Sequence, residues 1–217
     1  MKILVTSGAT REPIDDVRFL SNVSTGATGA ALADALAGRG HRVTLLRGTG
    51  AVGARRVRDS VTFDSAADLH GRLRTLLSAG GYDVVIQCAA VADYTPARRL
   101  RGKTTSDRCS LTLRLVPTAK ILPRLKSFAP RPPLVIGFKL TARANRSTRE
   151  AAVSRLFASG AVDAVIHNDL DDLGAGTGRR YRAYVEGSVR PVALAGLPAL
   201  AAWLDRFLTR SPLRSAS

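Results

Sequence analysis

The residues with the clearest chemical potential lie at three places: Ser24 through Gly29, the neighbourhood of Asp93, and Lys103. Ser24, Thr25 and Gly26 bring hydroxyls and a small residue to the start of a segment, 30–39, that has helical spacing and strong helix formers. Free N–H groups at a helix start, glycines that admit a ligand to the backbone and a dipole favouring negative charge make an anion site, and a phosphate is its natural guest. The competing reading is a plain helix cap by Ser24 or Thr25. The loop in front favours a ligand, because it begins at the end of an apolar strand, 2–7, and is far longer than the usual two to about six residues. Asp93 lies among small residues, 89–97, after a β-branched strand at 82–88, where a carboxylate can accept hydrogen bonds from hydroxyls or orient a cation. Ten residues on, Lys103 stands in a polar, basic, aperiodic stretch, 98–107. That stretch reads as a mobile flap able to bring a point charge over phosphates, against the alternative of a solvated surface lysine.

The elements that must position these groups alternate. Strands are expected at 41–46, 61–63, 134–138 and 164–169, and a helix at 66–78 carries Leu69, Leu73 and Leu77 on one face. His167 reads as a packed strand residue. Ser147 and Glu150 have capping-box spacing and start a helix that Gly160 ends. A period-two run at 110–115 predicts an antiparallel strand with an exposed face, followed by a helix from about 117 to 128. Edge strands at 180–185 and 189–194 and a closing helix at 197–208 complete the chain, which is read as one domain over 1–210 with a disordered tail at 211–217. The fold class is α/β: a doubly wound, Rossmann-like, mostly parallel sheet with helices on both faces and a small antiparallel extension. In that class ligands bind beyond the carboxyl ends of the strands where strand order reverses, so the loops after the first and fourth strands should face each other.

Composition narrows the function. The chain has 217 residues, 45% of them hydrophobic, and a formal net charge of +16 that comes almost entirely from scattered arginines. Without an aromatic-interleaved basic stripe or zinc-finger, RRM or basic-zipper spacing, dedicated nucleic-acid binding is disfavoured and an anionic small substrate is not. Cys88 and Cys109 stand apart, without disulfide or metal spacing. The start reads as a strand rather than a signal peptide and the longest apolar stretch is short of a membrane span, so a soluble cytoplasmic protein is expected. A nicotinamide-dependent reductase would want a tight Gly-x-Gly-x-x-Gly turn after the first strand and an acid after the second. Here Gly8 opens a long loop and Arg47 follows the second strand.

Six blocks in order, TSGATREPID at 6–15, VRFLSN at 17–22, STG at 24–26, AAVADY at 89–94, GFKL at 137–140 and ND at 168–169, resemble the phosphopantothenoylcysteine synthetase (phosphopantothenate–cysteine ligase) family in its standalone form. The resemblance implies a step of coenzyme A biosynthesis. The carboxylate of 4′-phosphopantothenate attacks the α-phosphate of CTP, or of ATP, giving an acyl-nucleotidylate and pyrophosphate. The amine of cysteine then displaces the nucleoside monophosphate. It further implies Mg²⁺ with the triphosphate, a homodimer formed through the antiparallel strands and flap, and a separate phosphopantothenoylcysteine decarboxylase as partner. Asn22 and Arg18 match the asparagine and arginine of the acyl-nucleotidylate motif, and Ser24, Thr25 and Gly26 the phosphate turn. Ala89 and Asp93 match nucleotide contacts, with Asp93 on the ribose, and Lys103 the flap lysine. Ala119, Lys120, Ile121, Leu122 and Phe138 match the wall of the base pocket. Some positions depart from the family pattern: Ala27 and Thr141 stand where the family has Lys and Glu, and Leu156 and Gly160 where it has two helix lysines. A non-catalytic relative that binds the same ligands is the alternative these departures leave open.

Overall fold

The computed structural model describes residues 1–105, 109–173, 179–188 and 190–210. Six aliphatic and β-branched segments, β1 (Lys2–Ser7), β4 (Arg42–Gly48), β5 (Asp59–Phe63), β6 (Val84–Gln87), β9 (Leu134–Thr141) and β10 (Ala164–Asp169), pair in parallel. Their continuous apolar character reflects cover on both faces. The antiparallel strands β11 (Arg180–Val185) and β12 (Val192–Ala195) extend one edge, and the sheet runs β12-β11-β10-β9-β6-β1-β4-β5. This is the expected doubly wound order. One face packs against α1 (Ala27–Ala37) and α4 (Gly196–Arg210), burying Ile3, Val5, Ile86 and Ile166 with Leu32, Leu36 and Leu204. The other packs Leu4, Val85, Val135 and Val165 against α2 (Ala66–Ser78) and α3 (Arg146–Ala158). In α2, Leu69, Leu73 and Leu77 are fully buried. At about 1.5–3 kcal/mol each, that stripe outweighs the roughly 1 kcal/mol lost to Gly71 in the helix interior.

Several local expectations are corrected. The first loop is not irregular throughout: it folds into a hairpin of β2 (Arg11–Pro13) and β3 (Phe19–Ser21), closed by Asp15, whose carboxylate accepts the N–H groups of Val17 and Arg18 at 2.8 and 2.7 Å. The alternation at 110–115 reaches a strand only at its end: β8 (Leu115–Pro117) pairs antiparallel with β7 (Tyr94–Pro96), and the Arg114 carbonyl just before it accepts the Ala97 N–H at 2.9 Å. The helix expected at 117–128 is two 3₁₀ turns, Leu122–Arg124 and Lys126–Phe128, in a segment where Pro123 lacks a donor N–H. Helix α3 is capped by Asn145, whose side chain accepts the Thr148 N–H, rather than by Ser147, and Glu150 pairs with Arg146 instead of closing a capping box. The tail at 211–217 and Val189 of the second edge strand lie outside the described residues.

Candidate active site

Strand order reverses between β1 and β6, and the two loops leaving their carboxyl ends are sewn together. Thr6 Oγ1 accepts the N–H groups of Cys88 and Ala89, both at 3.1 Å. The Ala90 N–H donates to the Gly8 carbonyl at 2.8 Å, and Thr10 Oγ1 accepts the Ala92 N–H at 3.0 Å. Thr6 and Thr10 therefore set the floor of the crevice, a role no local pattern announces. Asn22, just after β3, reaches across and donates through Nδ2 to the Val91 carbonyl at 3.1 Å. Its second N–H and its side-chain oxygen remain for a ligand.

Gly26, in the left-handed region at φ 76°, is the N-cap residue just before helix α1, which has no side-chain cap. Thr25 Oγ1 comes only to 3.4 Å from the Ala27 N–H, and Ser24 is exposed, so the plain capping reading does not hold. The helix start sits directly on β1: a Cβ added at Gly29 would lie 2.5 Å from the Ser7 Cβ and 3.2 Å from the Thr6 carbonyl oxygen. Uncapped amides and the positive end of the dipole thus face the strand ends.

Arg179 lays its guanidinium on the Thr28 hydroxyl, one residue from Ala27, where the resemblance expects a lysine. It comes from 151 residues further along the chain, so sequence reading missed it. Burial pushes the Cys88 thiol up to about 12, only partly offset by the charge of Arg179, so Cys88 is not a thiolate nucleophile.

The segment carrying Lys103 lies along the β2–β3 hairpin. Arg18 donates through Nη2 to the Thr104 carbonyl at 3.0 Å, and the buried Asp15 accepts the Thr104 N–H at 3.1 Å. Hydrogen bonds from the amides of Val17, Thr104 and Arg18 hold the Asp15 carboxyl well below the usual range. Arg18 is accordingly a brace between hairpin and flap. Lys103 is exposed and has no ion-pair or hydrogen-bond partner among the described residues.

The nucleotide-wall residues separate into two groups. Asp93 and Lys120 meet as an exposed ion pair at 2.5 Å, and the Thr118 hydroxyl donates to the Ala92 carbonyl at 2.6 Å, so Asp93, Ala119 and Lys120 share one rim. Ile121 is buried and Leu122 packs beside it on the α2–α3 face, whereas Phe138 packs on the α1–α4 face. The side chains of Phe138 and Leu122 therefore do not touch one another across the sheet. Ala89, beside Thr6, is partly buried at the crevice floor. On α3, Leu156 packs into the core and Gly160 turns the chain at φ 63°, and Arg146 is engaged by Glu150.

At the same sheet end, β9 and β10 carry a buried polar cluster. Thr141 Oγ1 donates to Asp169 at 2.5 Å and lies 2.8 Å from His167 Nε2. A hydroxyl has one hydrogen, so Nε2 carries the proton and donates, leaving Nδ1 as an acceptor. Burial, with the charges of Arg182 and Arg149, lowers the His167 pKa and keeps the ring neutral. Burial alone would raise Asp169, but the Thr141 hydroxyl and the amides of Ala144, Asp171 and Arg143 outweigh it and hold the carboxyl well below the usual range. Among the described residues His167 Nδ1, Ser7 Oγ and Gln87 Oε1 are buried and find no hydrogen-bond partner, each near the carboxyl end of a parallel strand.

The family model for the DNA/pantothenate metabolism flavoprotein C-terminal domain matches residues 1–185. The chain belongs to that family. It is 33% identical over 174 residues to the coenzyme A biosynthesis bifunctional protein CoaBC of Thermococcus kodakarensis, covering 80% of this chain and 42% of that protein. Against the Bacillus subtilis protein of the same name it is 33% identical over 177 residues, covering 81% and 42%. The chain thus spans about two fifths of the length of these relatives. Among solved structures, the family member from Streptococcus pneumoniae superposes with a TM-score of 0.83 at 26% identity, covering 96% of this chain and 98% of that one. A Cab2 mutant in complex with phosphopantothenate-cysteine shares the fold, with a TM-score of 0.77 at 18% identity over 96% of this chain and 87% of that one. Both solved structures thus share the overall fold of this chain.

Proposed function

We propose that this chain is a phosphopantothenate–cysteine ligase of coenzyme A biosynthesis, with CTP favoured over ATP as the activating nucleotide. The observation that supports this most is the conjunction at the switch point: an uncapped helix start at Gly26, Asn22 tethered to Val91 with one N–H and its side-chain oxygen to spare, and Lys103 carried on the adjoining segment. The relatives named for coenzyme A biosynthesis and the ligand of the Cab2 complex point to the same substrates.

In this reading the amides after Gly26, with Ser24 and Thr25, hold the nucleotide phosphates, and Arg179 supplies the cation that Ala27 lacks. A carboxylate oxygen of 4′-phosphopantothenate forms a bond to the α-phosphorus as pyrophosphate leaves with the electron pair of the broken P–O bond. Asn22 hydrogen-bonds the acyl-nucleotidylate, and Lys103 neutralises charge that develops on the phosphates in both half-reactions. The cysteine amine then attacks the acyl carbon and the nucleoside monophosphate departs. Asp93 and Ala89 contact the nucleotide, with Asp93 on the ribose, and Ala119, Lys120, Ile121, Leu122 and the backbone at Phe138 flank the base. Mg²⁺ arrives on the triphosphate. There it would neutralise phosphate charge; among the described residues no three His, Cys, Asp or Glu side chains cluster to hold a metal by themselves. One ligase domain over 1–210, a cytoplasmic location, a homodimer through β7, β8 and the flap, and a separate decarboxylase belong to the same proposal. Exposed Tyr94, Leu111 and Leu115 support the dimer, and no described helix is long and apolar enough to cross a membrane.

The test is pyrophosphate release from purified protein given 4′-phosphopantothenate, Mg²⁺ and either CTP or ATP, with and without cysteine. Release that requires phosphopantothenate and turns over continuously only with cysteine is expected; in Asn22→Asp it should stall. No release with either nucleotide, while CTP still raises the melting temperature, would replace the ligase by a binding relative.

A further inference from the structure

The grip on Lys103 is closer than a flap requires. Both residues flanking it have both of their backbone polar groups bound to the turn of the β2–β3 hairpin. The Gly102 N–H donates to Asp16 Oδ2 at 2.8 Å, and the Gly102 carbonyl accepts the Asp16 N–H at 3.2 Å. The Thr104 N–H donates to Asp15 Oδ2 at 3.1 Å, and the Thr104 carbonyl accepts Arg18 Nη2 at 3.0 Å. Further back, the Leu100 N–H donates to the Ile14 carbonyl at 2.9 Å and Arg99 pairs with Asp16 at 2.7 Å. Asp15 cannot swing away, because its other oxygen accepts two amides of its own turn. Gly102 lies at φ 69°, a conformation that lets the segment double back against Asp16. Between the two gripped residues only Lys103 projects unbound.

We infer that Asp15 and Asp16 are positioning residues that set Lys103 for the reaction. A lysine ammonium sits at the end of four rotatable bonds, so its aim depends on how well its Cα is fixed. The strand that leaves this turn, β3, runs straight into Asn22. One hairpin therefore holds both groups: Asn22 by the chain itself, Lys103 through two adjacent carboxylates. This rests on the reading that Lys103 acts in ligation.

Hydrogen exchange and a double-mutant cycle test it on the full chain. In the wild type the Gly102 and Thr104 amides should be protected and the Lys103 amide should not. Asp16→Asn, at a half-exposed side chain whose loss leaves the core intact, should release Gly102; Asp15→Asn should release Thr104. Each should lower kcat for pyrophosphate-coupled ligation by about tenfold, and in the Lys103→Gln background neither should lower it further. Lys103→Gln alone should keep both amides protected. Unprotected amides in the wild type would overturn the grip whatever the activity. Equal losses with and without Lys103 would reduce the carboxylates to general structure, and wild-type turnover by Lys103→Gln would remove Lys103 from the reaction and the positioning role with it.

Discussion

Replacing Gly29 by alanine separates stability from positioning. The added Cβ would stand 2.5 Å from the Ser7 Cβ, whereas carbon atoms in contact rest at about 3.5–4.0 Å, so the start of α1 must withdraw from β1 by about 1 Å. Overfilling a packed site costs about 1–3 kcal/mol, and alanine returns about 0.5–1 kcal/mol of helix propensity. The net loss should be about 1 kcal/mol, a fall of roughly 2–4 °C in melting temperature for a chain of this size. The effect on turnover should be much larger. A displacement of about 1 Å between an anion site and the reacting atoms costs about a hundredfold in rate. Scanning calorimetry and the pyrophosphate assay read the two effects separately. Gly71→Ala in α2 is the matched control: nothing lies within 4 Å of its added Cβ, so it should gain about 0.5–1 kcal/mol and leave kinetics untouched. If Gly29→Ala behaves like Gly71→Ala in both assays, the close seating of α1 on β1 and its part in the reaction are both refuted.

Other outcomes follow from the same packing. Leu125→Ala, at the fully buried position between the two 3₁₀ turns, should cost about 2–5 kcal/mol by urea unfolding with an unchanged m-value. Thr141→Val should cost about 1–3 kcal/mol, because it removes a donor to Asp169 and leaves the His167 Nε2–H unpaired, while valine keeps the volume. Acid should destabilise the fold in two stages. His167 has a folded pKa below its ordinary 6.5, so the unfolded chain binds more protons and stability falls as pH drops below about 6.5. Asp15, Asp169 and Asp172 also have lowered values, so a second loss sets in as pH falls below about 3.8. His167→Asn should flatten the first stage only, and urea midpoints measured from pH 8 to 3 would expose a wrong sign at once.

The legible parts of this protein are those written in local periodicity. The period-3.6 stripe of Leu69, Leu73 and Leu77, the continuous apolar runs of the parallel strands and the Gly160 stop each act within one element, so α2, β1, β6, β9, β10 and the end of α3 could be placed, and with them the doubly wound sheet and the meeting of its first and fourth loops. Local signals misled where two competed at short range. Ser147 and Glu150 looked like a cap, but Asn145 stood two residues earlier with an extended backbone and a short side chain able to reach Thr148. The run at 110–115 had the alternation of a strand, but only its end, at Arg114 and Leu115, lies beside β7, and strands, unlike helices, need a neighbour to complete their hydrogen bonds.

By itself, then, the sequence determined the order of strands and helices, the crevice they imply and the small-residue turn at Gly26, because each of these is settled by residues a few positions apart. Only the tertiary structure decided what surrounds that turn. Arg179 reaches Thr28 across 151 residues, and Asp15 and Asp16 grip a segment 86 to 89 residues away. Hydrogen bonds and ion pairs over such separations exist only where the fold brings the distant segments together. An arginine or aspartate that makes one looks, in the linear chain, like any solvated charge.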